Sequence, residues 1–153
     1  MPNLTVTTKE SITMQGKQMG SARTMTFPNI VDVYTRVFSF KQQVATSLYT
    51  THADTVSAGV FDDGSVKYAR ITSLGKEPLV IEIVAEGPLV SCVELQQGQS
   101  YYLYSHTLSS FAEGDALETA DYTALKDIIQ VKAYCPRGAG RVEVFIASTE
   151  ATK

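Results

Sequence analysis

Tryptophan is absent from this 153-residue chain, and cysteine and histidine occur twice each. Each shortage removes a class of protein. Two cysteines, Cys92 and Cys135, give neither a CxxC pair nor a metal-finger spacing, so a disulfide scaffold and a zinc module are excluded. They read as small buried side chains, and a bond between them requires the fold to bring them together. The two histidines, His52 and His106, form no HExxH and no His-x-His frame of the cupin kind. A metal site would need them to meet in space with Asp54 or Asp63, and the simpler reading is a solvated or hydrogen-bonded imidazole for each. No apolar run approaches the roughly 18 residues of a membrane span, so no membrane contact is expected. Basic excess is also missing: 13 Lys and Arg face 16 Asp and Glu, a formal charge of −3. A nucleic-acid partner is therefore not expected. The opening MPNLTVTTKE has no apolar run behind a positive flank, so no secretory signal is expected.

What the chain does contain is strand pattern. The stretch VKYARITSLGKEPLVIEIVAEGPLVSCVELQQGQSYYLY, residues 66–104, predicts four strands over 66–72, 79–85, 90–95 and 100–104. The breaks LGKEP, EGP and QQGQ carry the Gly and Pro that turns require. Val, Ile and Tyr suit a pleated, half-buried surface. Leu79, Ile81, Ile83 and Ala85 share one strand face, while Val80, Glu82 and Val84 make an opposite face that is not cleanly polar. Further strands are predicted over 30–40, 44–51, 128–134 and 142–147, the last two joined by CPRGAGR. A loop over 52–65 contains a short apolar piece at 59–61 and the turn DDG. One short helix is expected over 117–127, LETADYTALKD. Nine or ten short strands with turn signals every 8 to 15 residues predict an all-β fold, an antiparallel β-sandwich or jelly roll in one domain.

Two segments point outward. Residues 1–27 are Thr-rich, with Leu4 and Val6, then Ile12 and Met14, alternating with threonine before a turn candidate at Gly16. They predict an N-terminal arm of one or two strands that needs a partner sheet, in its own domain or in another subunit, ahead of a sandwich over 28–153. In IVDVYTRVFSF, residues 30–40, both faces carry bulk, so the face bearing Tyr34, Phe38 and Phe40 is a candidate interface. Tyr101, Tyr102 and Tyr104 cluster with Tyr68 nearby. Tyr102 and Tyr104 share a face, as core packing, a protein interface or stacking on sugar rings would each use.

Chemistry is hard to find. GxSxG and a Walker loop are absent. Asp62 and Asp63 lack the calcium-loop frame of an EF-hand and read as a turn. Glu82 or Glu94 would serve as a general acid only if desolvated, and the expected reading is a solvated carboxylate or one paired across strands with Lys67 or Arg70. No catalytic residue, metal ligand or cofactor is therefore assigned, and a non-enzymatic protein is expected. The candidate interface residues are Leu4, Val6, Ile12, Met14, Tyr34, Phe38, Phe40, Tyr102 and Tyr104.

The strings NLTVTTKESITMQGKQMGS (3–21), YARITSL (68–74), LQQGQSYYL (95–103) and VEVFIA (142–147) resemble small virion proteins of tailed phages infecting marine bacteria and cyanobacteria. The resemblance implies a Thr-rich strand ahead of a β-sandwich. It also implies a capsid decoration or cement protein on the outer surface of the phage head, often a homotrimer, whose partner is the major capsid protein. A tail or surface-fibre component of the virion and a carbohydrate-binding jelly-roll module are the alternative expectations.

Overall fold

In the computed structural model, residues 1–51, 58–87, 89–108 and 126–151 are described. The chain is all-β over these residues. The arm contains β1 (Leu4–Lys9), β2 (Ile12–Met14), β3 (Lys17–Met19) and β4 (Ala22–Phe27). The body contains β5 (Asp32–Phe40), β6 (Thr46–Thr51), β7 (Val60–Phe61), β8 (Val66–Ser73), β9 (Leu79–Ala85), β10 (Leu89–Leu95), β11 (Ser100–Leu103), β12 (Thr107–Leu108), β13 (Lys126–Tyr134) and β14 (Gly140–Ser148). Residues 117–125 of the expected helix lie outside the described residues, and Lys126 and Asp127 open β13 as strand.

The body strands form two sheets, ordered β11-β8-β14-β5 and β10-β9-β13-β6-β7, with β12 added beside β13. Their pairings are antiparallel except for the short parallel contact of β6 with β7. The long strands pair as nested partners: β5 with β14, β6 with β13, β8 with β11 and β9 with β10. Each sheet then closes by joining two such pairs, β14 with β8 and β13 with β9.

Period-two alternation explains why these segments bury one face each. Ile81, Ile83, Val131 and Ala133 point inward from one sheet, and Ala69, Ile71, Val142, Val144 and Ile146 from the other. All nine are essentially inaccessible to solvent. Each large aliphatic side chain so buried contributes roughly 1.5–3 kcal/mol of transfer free energy. This single cluster between two layers is the sandwich expected from the sequence.

The arm is one hairpin. Its register runs from Leu4 opposite Phe27 to Met14 opposite Lys17 without slipping. Gln15 and Gly16 turn the chain with φ of 50° and 75°. Two consecutive positive φ values are the geometry of a type I′ turn, whose twist matches that of antiparallel strands. Between the two halves of the hairpin the Glu10 amide donates to the Ser21 carbonyl at 2.8 Å. Gly20, with φ of 155°, comes so close there that a Cβ would overlap the Glu10 carbonyl. One side of the hairpin is threonine, where Thr7 and Thr24 hydroxyls meet at 3.2 Å. Threonine keeps a strand extended without needing a core.

Candidate interaction surface

The hairpin's other side decides how the arm sits. Leu4, Val6 and Phe27 pack against a small second cluster of Ile30, Tyr68 and Ala147, with Phe145 beside them. Tyr68, Phe145 and Ala147 lie on the outer face of the β11-β8-β14-β5 sheet, because their neighbours Ala69, Val144 and Ile146 fill the core. The base of the arm thus lies across the back of that sheet. A groove of about 240 Å³ remains between them, lined by Leu4, Thr5, Val6, Thr7, Tyr68, Arg70 and Phe145.

The distal half of the arm does something else. Ile12 is 54% exposed, Met14 53% and Met19 42%, and nearer the base Met25 is 37% exposed. None of them belongs to either buried cluster. Met25 stands opposite Val6, and Met19 opposite Ile12. These are alternate positions of the same register that puts Leu4 and Phe27 on the sheet.

Beside the arm's base runs an aromatic row. Phe27 and Tyr104 are parallel with centroids 6.3 Å apart, and Tyr104 and Tyr102 are parallel at 6.1 Å. Tyr68 tilts against all three. Tyr102 and Tyr104 remain more than 40% exposed. Burial pushes the Tyr68 hydroxyl above its ordinary pKa; Arg70 opposes the shift, and Tyr102 and Tyr104 add to it as sources of like charge. The Arg70 guanidinium is held by Glu143 at 2.6 Å and lies 5.7 Å over the Phe145 ring.

The expected interface residues therefore divide. Ile12, Met14, Tyr102 and Tyr104 are exposed, while Leu4 and Val6 serve the contact between arm and body. Tyr34, Phe38 and Phe40 point inward. Tyr34 meets Phe61 edge-on at 5.9 Å, and Phe38 packs half-buried against the core under Arg36. Phe40 is buried with its ring where a Cβ on residue 140 would stand, a place only Gly140 leaves open. The opposite face of β5, with Val33 and Val37 at 48% and 45% exposure, is the outward one. Met19, Met25, Val33 and Val37 were not singled out from the sequence. The signal for the two methionines is the mirror symmetry of apolar positions about Gln15–Gly16.

The chemical candidates scatter. Glu82 pairs with Lys132 at 2.9 Å, not with Lys67 or Arg70, because its strand neighbours are β10 and β13. The Lys67 ammonium donates to the Gly64 carbonyl, and the Glu94 carboxylate accepts from Gln96. His106 lies 3.7 Å from Asp127, while His52 and Asp54 fall outside the described residues. Among the described residues no three His, Cys, Asp or Glu side chains gather in a metal-binding group. Both cysteines are free; Cys135 is buried as expected, whereas Cys92 is exposed because it sits on the outer face of β10 opposite Glu82. No helix among the described residues is long and apolar enough to cross a membrane.

No family model matches the chain, and no curated protein matches it in sequence. Among solved structures it is similar to a chain from Bacillus endospore appendages, a family of disulfide-linked pili, with a TM-score of 0.43 and 13% identity over 80% of this chain and 90% of that one. It is also similar to Pseudomonas aeruginosa AlgX, with a TM-score of 0.42 and 14% identity over 74% of this chain and 26% of that one. Likenesses this distant carry no reading of what this chain does.

Proposed function

We propose that this chain is a non-enzymatic structural protein of a virion, a decoration or cement subunit held on the outer surface of a tailed-phage head by contact with the major capsid protein. The observation that carries the reading is the arm. A hairpin with Ile12, Met14, Met19 and Met25 exposed along its length is incomplete as a surface. An apolar face left open in this way belongs to a protein that docks. The nested order of the body strands supports reading the sandwich as a jelly roll. The sequence resemblance to virion proteins selects the lattice as the place of docking. Such a subunit works by mass action. Binding the assembled shell and not its dissociated parts stabilises the shell by about 2.7 kcal/mol at a hundredfold excess over Kd, and repeated sites multiply the effect.

The test is addition of purified chain to heads that lack it, followed by pelleting and counting of copies per particle. A lattice component binds in proportion to the number of capsid subunits, and a chain without residues 1–26 stays soluble and fails to coat. Normal coating by the truncated chain would remove the arm from the mechanism. Binding at a few unique sites would move the protein to a vertex or the tail. An absence of binding would turn attention to carbohydrate, for which the parallel row of Phe27, Tyr104 and Tyr102 is the favoured platform.

A further inference from the structure

We infer that the distal half of the arm docks on a second copy of this chain, against the flank of the outer sheet face formed by Val31, Val33 and Val37; this rests on the assembly reading and names the arm's immediate partner.

Three observations lead there. The first is continuity with a contact already made. The base of the arm shows what its apolar side fits, namely the back of the β11-β8-β14-β5 sheet, reached through Leu4, Val6 and Phe27. The hairpin carries the same alternation past Gly20, where the sheet of its own chain no longer covers it.

The second is a bare continuation of the surface to be fitted. A cleft of about 160 Å³ beside Leu4 is bounded by Pro2, Asn3, Ile30, Val31 and Val33. Val31, Val33 and Val37 extend that apolar ground at 55%, 48% and 45% exposure. They lie on or just before β5, which ends its sheet and, among the described residues, pairs with β14 alone. An edge strand of nine residues with outward valines is a surface that proteins ordinarily cover.

The third is charge. In residues 1–27 the charged side chains are Lys9, Glu10, Lys17 and Arg23, three basic against one acidic. The remaining residues carry ten basic and fifteen acidic side chains. A basic arm and an acidic body attract, whereas arm against arm and body against body repel. That sign pattern favours arm-to-body contact over arm-to-arm or body-to-body contact. An arm-to-body contact is either reciprocal, giving a two-fold pair, or head-to-tail, closing into a ring or propagating as a row.

Light scattering across a concentration series of the full chain, with circular dichroism as a check on folding, provides the test. Wild type self-associates. The pair Ile12→Thr with Met14→Gln, and separately the pair Val33→Thr with Val37→Thr, each weakens association at least tenfold with unchanged dichroism. Mixing the two variants restores a one-to-one pair and nothing larger, because the mixture contains one intact arm facing one intact flank. A wild-type chain that stays monomeric at every soluble concentration overturns the inference. So does either variant associating like wild type, or a mixture that does not pair. The outcomes separate this inference from the reading beneath it. A monomeric chain that still coats shells defeats only the inference. A chain that pairs through its arm and ignores shells defeats only the assignment to the virion.

Discussion

The body and the arm are built from the same element and stabilised by different means. In the body, strands bring large aliphatic side chains into one shared interior, and burial selects the register, since a slip of one residue would turn the core outward. In the arm, a two-residue turn and a line of cross-strand pairs set the register, and only Leu4, Val6 and Phe27 gain burial from the body. The body would lose its shape without its core. The distal arm has no core to lose, so the apolar side chains it displays serve something beyond the chain's own folding.

The sharpest way to break that contrast is to open the interior. Ile81 is fully buried between β10 and β13 on the core face. Ile81→Ala should cost about 2–5 kcal/mol, read as a lowered midpoint in denaturant. A loss below 1 kcal/mol would mean that the interior is loosely packed and the contrast overstated.

Base titration probes both regions at once. Tyr49 lies in the body core and Tyr68 under the arm, and burial raises the pKa of each above the ordinary tyrosine value. The folded state therefore holds its phenolic protons more tightly than the unfolded state does. The associated stability is fully present below the unfolded value of about 10 and is lost as pH climbs through the raised folded values. Tyrosinate absorbance from Tyr68 should rise only above pH 10, and that from Tyr49 later still, together with unfolding. Ionisation of all rings in one step near pH 10 would contradict the burial described for these two.

The smallest effect is expected at the arm's tip. Ile12→Thr and Met14→Gln should change unfolding free energy by no more than about 0.5 kcal/mol, since neither side chain touches a buried cluster. A larger loss would show that the distal arm folds back on its own body.

Much of the body was legible in the sequence because Val, Ile and Leu alternate there with polar residues and the turns carry Gly or Pro. The strands expected over 66–72, 79–85 and 100–104 reappear within a residue or so as β8, β9 and β11. Partnership was not legible. Alternation tells which face of a strand is buried, but it does not say which distant strand lies alongside. That is why the cross-strand partners expected for Glu82, if it was not simply solvated, were Lys67 or Arg70, whereas it meets Lys132. In β5 both faces carry large side chains, so the pattern alone left open which side would pack inward; Tyr34, Phe38 and Phe40 proved to be the inner set. Threonine hid the arm's true extent. It promises strand without promising burial, and the pairing across Gln15–Gly16 shows only when positions on either side of that turn are compared.

The nested order also has a mechanical consequence. The first and last long strands of the body lie side by side, with Asp32 opposite Ser148 and Phe40 opposite Gly140. Tension applied between the arm and the residues that follow β14 loads the Asp32–Ser148 end of that pair before its other end. Hydrogen bonds there give way one after another, as in a zipper, and are not sheared together. A copy anchored only by its two ends would peel open under modest force, whereas contacts spread across the flank of β5 would splint that seam shut.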